Sequence, residues 1–138
     1  MKQTLLWLDD VRSPFENDGS WLVFSPIEQP FEVIWVKTYD EFVTYIEKNG
    51  LPTAICFDHD LGKDIALANI KKGMSKREAK RIRRNSTKSG KDCANWLVEY
   101  CMDNNKQLPL YNIQSANPVG KENIDGLLKN FNKYYGNR

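Results

Sequence analysis

The chain has 138 residues, 41% of them hydrophobic and 28% charged, which suits one soluble globular domain, 1–138, with a core of its own. No run of about 18 apolar residues is present, which excludes a transmembrane helix, and the apolar residues 5–8 are cut off by Asp9, too early for a secretion signal. The formal net charge of +2 hides an uneven distribution: residues 1–70 hold 5 Lys/Arg against 12 Asp/Glu, whereas residues 71–91 hold 10 Lys/Arg against Glu78 alone. An acidic body with one basic segment points to a polyanionic partner. Three cysteines, an odd number without metal-type spacing, indicate a reducing, cytoplasmic setting, with Cys56, Cys93 and Cys101 as small buried hydrophobes.

Residues 4–8 predict a first strand, apolar throughout and therefore central in a sheet. Asp9 and Asp10 leave it into a loop. Residues 15–30 are broken by Gly19, Pro26 and Pro30, with 21–24 as a short strand or packed loop. Residues 31–36 predict the second strand. Thr38 and Glu41 spell a capping box, and a helix follows to about Asn49 with Phe42, Val43, Tyr45 and Ile46 on its apolar face. Gly50 and Pro52 end it. Residues 53–57 predict the third strand, which delivers Asp58-His59-Asp60-Leu61-Gly62.

Residues 63–88 form a basic insert. Ser75 and Glu78 box the start of a short helix reaching Arg84. Its apolar residues are only Met74, Ala79 and Ile82, which predicts a mobile, solvent-facing element. Ser89-Gly90-Lys91-Asp92 opens a helix over 93–102 with Trp96, Leu97, Tyr100 and Cys101 as its core stripe. Residues 110–114 predict the fourth strand, followed by Ser115-Ala116-Asn117-Pro118-Val119-Gly120-Lys121. A last helix is expected from Gly120 or Lys121, with Ile124, Leu127, Leu128 and Phe131 facing inward.

Parallel strands joined by helices mean an α/β fold. The expected architecture is a flavodoxin-like three-layer sandwich with a truncated, mostly parallel sheet of order 2-1-3-4. Strands 1 and 3 are then central neighbours, and Asp9, Asp10, Asp58 and Asp60 surround one crevice at their carboxyl ends. Carboxylates so gathered repel unless a cation or a proton separates them. All-oxygen ligands suit Mg²⁺ or Mn²⁺. His59, the only histidine, is the candidate acid/base. A backbone extended past Asp58 puts it on the opposite side from Asp58 and Asp60; a turn after Asp58 brings it in. Ser115, Asn117 and the N–H groups opening the last helix make a phosphate cradle, with Lys121 adding a cation.

Asp9-Asp10 after strand 1, Asp58 after strand 3 and Ser115 after strand 4 resemble a response-regulator receiver domain. That resemblance implies that Asp9, Asp10 and Asp58 bind Mg²⁺ and that Asp58 accepts a phosphoryl group. The chain lacks the receiver's helix after strand 1 and its fifth strand with a lysine, for which Lys121 stands in. A closer resemblance is to the cyclic-phosphate-processing receiver domains. It is carried by Leu8-Asp9-Asp10-Val11-Arg12, by Asp58 to Gly62, by Ser89-Gly90-Lys91-Asp92, and by Ser115 to Gly120, in that order.

The function this implies is metal-dependent hydrolysis of a cyclic phosphate, on an RNA end or a cyclic nucleotide. Asp9, Asp10 and Asp58 would hold the metal. Asp60 would ligate it or orient His59. Arg12, Ser115, Asn117 and Lys121 would hold phosphate oxygens. Two alternatives are a phosphoacceptor signalling domain and a non-catalytic nucleotide or nucleic-acid binder gripping its partner through Arg81, Arg83 and Arg84. Residues 71–91 contain no aromatic side chain, so such contacts would be to the backbone, without base stacking.

Overall fold

The computed structural model describes residues 3–10, 13–15, 25–59, 61, 69–86 (82–86 by backbone alone), 88–114 and 117–135. Four strands, β1 (Thr4–Leu8), β2 (Glu32–Val36), β3 (Ala54–Phe57) and β4 (Leu110–Ile113), form one sheet of order β2-β1-β3-β4. Every pairing is parallel; Leu5 lies between Val33 of β2 and Ala54 of β3, and Ala54 pairs onward with Leu110. This is the expected α/β, flavodoxin-like sheet, with β1 and β3 at its centre. Both are apolar at nearly every position, because a central parallel strand is covered on two faces. The expected strand at 21–24 lies outside the described residues.

Alternation divides the core. Leu6, Leu8, Ile55 and Phe57 point to one face and Leu5, Trp7, Ala54 and Cys56 to the other; all eight are fully buried. The first face is covered by α1 (Tyr39–Asn49), α3 (Gly90–Asp103) and α4 (Pro118–Tyr135), through Phe42 and Ile46, Cys93 and Leu97, and Ile124 and Leu128. Among the described residues, the second face is packed by Ile27, Phe31, Val33 and Trp35.

The helix starts follow capping chemistry. The Glu41 N–H donates to Thr38 Oγ1 at 3.1 Å, but the Glu41 carboxylate accepts from the N–H of Lys37 rather than from the cap residue. Gly50 takes φ +83°, and its N–H donates to Ile46 O. Ser89 and Asp92 satisfy each other in a full box, which starts α3 three residues before the predicted Cys93. On α3, Cys93, Ala94, Leu97 and Cys101 are buried, while Trp96 and Tyr100 are half-buried and stack on each other at 5.2 Å.

One expectation needs correcting. The last helix starts at Pro118, two or three residues before the predicted Gly120 or Lys121. Asn117 Oδ1 accepts the Gly120 N–H at 3.0 Å, which makes Asn117 the cap, and Pro118 occupies the first turn, where its missing N–H is not needed.

Within the insert, α2 (Lys76–Ser86) has Ser75 as its cap, accepting the Glu78 N–H. Lys76, Arg77, Glu78, Lys80 and Arg81 are exposed, as expected, and neither core cluster includes a described side chain of the helix. Ala79 is nevertheless completely buried, so α2 rests one face on the rest of the protein.

All three thiols are free and buried. Burial pushes Cys101 up to about 11 and Cys56 up to about 12, and raises Cys93 as well. The unfolded chain loses a thiol proton near the ordinary 9.0, before the folded chain does. Stability is therefore full below about pH 9 and declines as pH rises toward about 11 through Cys101. Melting temperatures across that range should show the decline. At pH 7 a thiol reagent should leave the native protein unmodified and react with three groups after unfolding in urea. Rapid reaction of native protein would contradict the burial.

Candidate functional site

The site lies where the sheet's hydrogen bonds run one residue past the carboxyl ends of the strands. The Asp9 N–H donates to Val36 O, the Asp58 N–H to Leu8 O at 3.0 Å, and the Gln114 N–H to Phe57 O at 2.9 Å. The backbone carrying each polar side chain is thus held by the neighbouring strand. The Trp35 indole N–H adds a bond of 2.8 Å to Asp9 O, tying the edge strand to the first acid. Alternation then sorts the side chains. Asp9 follows Trp7, Asp58 follows Cys56 and Gln114 follows Asn112 onto the sheet face away from the helices.

Asp9, Asp10 and Asp58 come together as predicted. Each offers a carboxylate oxygen within 4.8 Å of the others, and the residues are only 1%, 4% and 4% exposed. Asp9 Oδ2 and Asp10 Oδ1 are closed off from solvent. Three carboxylates at this spacing in a water-poor setting repel strongly unless positive charge stands among them. The donors are all hard oxygens, and the thiols, held protonated by burial, do not compete as ligands. The triad could hold a divalent metal.

His59 goes the other way. β3 ends at Phe57, and the chain bends at His59, whose ring lies against Gly120 in the first turn of α4, on the helix-covered side. A Cβ at Gly120 would overlap the ring, coming within 2.7 Å of Cδ2 and Nδ1. The backbone of the motif is held equally closely. The Gly90 N–H donates to His59 O at 2.7 Å, and a Cβ there would collide with Asp58 O and lie 2.8 Å from its carbonyl carbon. The glycines of two of the recognised motifs therefore have one purpose: only a residue without a side chain lets α3 and α4 approach the end of β3.

The phosphate cradle is altered by the early start of α4. The Gly120 N–H goes to the Asn117 side chain and the Lys121 N–H to Asn117 O at 2.9 Å, so these amides close the helix turn. Lys121 is exposed beside them. Arg12, Asp60 and Ser115 lie outside the described residues, as do the side chains of Arg83 and Arg84; Arg81 is exposed on α2.

Gln114 is the residue that the sequence reading passes over. It is 6% exposed, its Nε2 reaches across the end of β3 to donate to Leu8 O at 3.3 Å, and its Oε1 is closed off from solvent. The available signal was an uncharged polar side chain one residue past Ile113, at a position that alternation places on the same face as the acids.

Comparison with known families gives one result. The sequence model of the family described as cyclic-phosphate processing receiver domain matches residues 4–130. No curated protein and no solved structure matches the chain.

Two substitutions test this arrangement. Asp58→Asn should abolish divalent-metal binding in a calorimetric titration and, by relieving repulsion, raise the metal-free melting temperature. Wild-type protein should gain about 2.7 kcal/mol of stability at a hundredfold excess of metal over its dissociation constant, and the variant nothing. An unchanged gain would remove Asp58 from the site. Gly90→Ala should destabilise the fold by about 1 to 3 kcal/mol, because the obstacle is backbone and cannot swing away; a variant as stable as wild type in urea would show that the approach of α3 is not tight.

Proposed function

We propose a function from one premise: the chain belongs to the cyclic-phosphate processing receiver domain family. The reaction is divalent-metal-dependent hydrolysis of a cyclic phosphate, on an RNA end or a cyclic nucleotide. One observation carries the metal dependence: the buried triad Asp9, Asp10 and Asp58, with carboxylate oxygens within 4.8 Å of one another. Hard carboxylate donors favour Mg²⁺ or Mn²⁺ over softer metals. Asp9, Asp10 and Asp58 would hold the cation, which would supply neutralisation of phosphate charge and Lewis-acid chemistry.

The chain's own residues do the remainder. Water adds to phosphorus, the bond from phosphorus to one ring oxygen breaks, and that oxygen takes a proton. His59 serves as acid/base for these transfers, held against Gly120 so that its ring meets the substrate from the α4 side. Lys121, Arg12 and Ser115 hold the phosphate oxygens that gain charge. Asn117 fixes the start of α4 through its cap, and its Nδ2 is the further donor to the phosphate. Gln114 holds the ends of β1 and β4 in register around the carboxylates. Asp60 orients His59 or completes the metal's ligands. The buried thiols suit a reducing compartment, and we infer a cytoplasmic setting.

His59→Ala should lower turnover of a 2′,3′-cyclic phosphate by about two to four orders of magnitude, the range of a general acid/base. Metal affinity should be unchanged. Gly120→Ala should also slow turnover, by displacing the ring, with the metal again bound as tightly. Steady-state kinetics with Mg²⁺ or Mn²⁺ decides both. Full activity in His59→Ala would take the histidine out of the proton transfers.

A further inference from the structure

The basic insert leaves the chain next to the site and returns to it. On the entering side, Leu61 is 3% exposed and sits in the helix-side core. On the returning side, the Gly90 N–H is bonded to His59 O. Three residues separate Ser86, the end of α2, from Gly90, and the four Cα-to-Cα steps span at most about 14 Å. An 11-residue helix is itself about 16 Å long. The carboxyl end of α2 therefore lies within about 14 Å of Gly90, which abuts the end of β3, and the helix extends about its own length from there.

The surface of α2 is strongly positive. Lys76, Arg77, Lys80 and Arg81 are exposed, with Glu78 the only acid in the helix, and Lys71 and Lys72 are exposed just before it. Arg77 and Arg81, one turn apart, line a shallow cleft with Ser75 and Glu78. The orientation is fixed by complete burial of Ala79. So much positive charge beside an acidic body would be a liability for a site that took only small molecules, since it contributes no ligand to the triad. A membrane surface is the poorer match. Helices that lie in a bilayer present a broad apolar face with large side chains. In α2 the apolar residues are Ala79, which is already buried, and Ile82, and the sequence Lys76–Ser86 contains no aromatic residue and no leucine.

We propose that α2 is a docking surface for the RNA backbone, and that the cyclic phosphate of the reading above is the end of an RNA strand whose upstream phosphates lie along this helix. Without aromatic side chains in α2, recognition is by charge, independent of base sequence and sensitive to salt. This rests on the proposed reaction for the identity of the terminal group; the docking surface itself does not need turnover to be seen.

The test is the affinity of a short single-stranded RNA with a 2′,3′-cyclic end, read by fluorescence anisotropy over a range of salt. The proteins are the full chain and its quadruple variant Lys76→Ala, Arg77→Ala, Lys80→Ala, Arg81→Ala. The variant should bind at least about tenfold more weakly at low salt, and its salt slope should flatten by up to about three units, at roughly 0.7 per lost phosphate contact. Calorimetric Mg²⁺ or Mn²⁺ affinity equal to wild type shows that the variant is folded. Equal RNA affinity and slope would overturn the proposal. So would loss of binding to phosphatidylserine vesicles with RNA affinity retained, which would assign the surface to membranes. Should neither protein hydrolyse any cyclic phosphate while the variant still loses RNA, the docking surface stands and the reading of the site falls.

Discussion

Three carboxylates held within 4.8 Å of one another, almost without solvent, are the constraint around which the structure is arranged. No choice of rotamer relieves their repulsion as well as a cation does, and side-chain packing alone gives the chain no reason to gather them. The sheet supplies the force that holds them. Asp9 and Asp58 are fixed through backbone N–H groups bonded to Val36 and Leu8, and the strands behind them are buried on both faces. Hydrophobic burial of β1 and β3 thus stabilises an electrostatic arrangement that is unfavourable by itself. This division, core below and charge at the strand ends, is the physical content of a ligand crevice at the carboxyl edge of a parallel sheet.

The second structural demand is proximity. α3 and α4 come so near the end of β3 that Cβ atoms at Gly90 and Gly120 would collide with Asp58 and His59. The two glycines act on different parts of the motif: Gly90 on its backbone, Gly120 on the imidazole. Between them they decide where the acid and the histidine stand. The sheet alternation sends Asp58 to one face and His59 to the other, and the helices, by closing on the second, give the histidine a fixed wall. The carboxylate and the imidazole in this way stand on opposite sides of a single strand end.

Much of this is legible in the residues. β1, β2 and β3 announce themselves by continuous apolar or β-branched runs, and their ends fall within a residue of where sequence places them. The triad is legible because acids directly after an apolar run can only stand at a strand end. What sequence conceals depends on distance. Ser-Gly-x-Asp reads as a helix cap, and is one, but nothing in it says that Gly90 touches Asp58, 32 positions earlier. Gln114 is hidden for the same reason, since its partner Leu8 lies 106 residues away. The start of α4 is hard to read because Asn-Pro suits both a turn and a helix cap, and the Gly120 amide on Asn117 decides for the cap. Ala79 reads as a minor apolar residue and turns out to be the anchor of α2.

The bond from the Gly90 N–H to His59 O has a consequence for what the chain can carry. It closes a loop whose two ends are fixed within the site's own backbone. The entropy lost in closing a flexible loop grows only with the logarithm of its length, about 0.6 kcal/mol for each doubling. A change in the length of the segment between residues 61 and 89 therefore costs little in closure entropy, and the Gly90–His59 bond still marks its return to the site. The acids and the histidine are held by the sheet and by α3 and α4, and the chain returning from the insert rejoins them at a backbone hydrogen bond next to a residue that has no side chain.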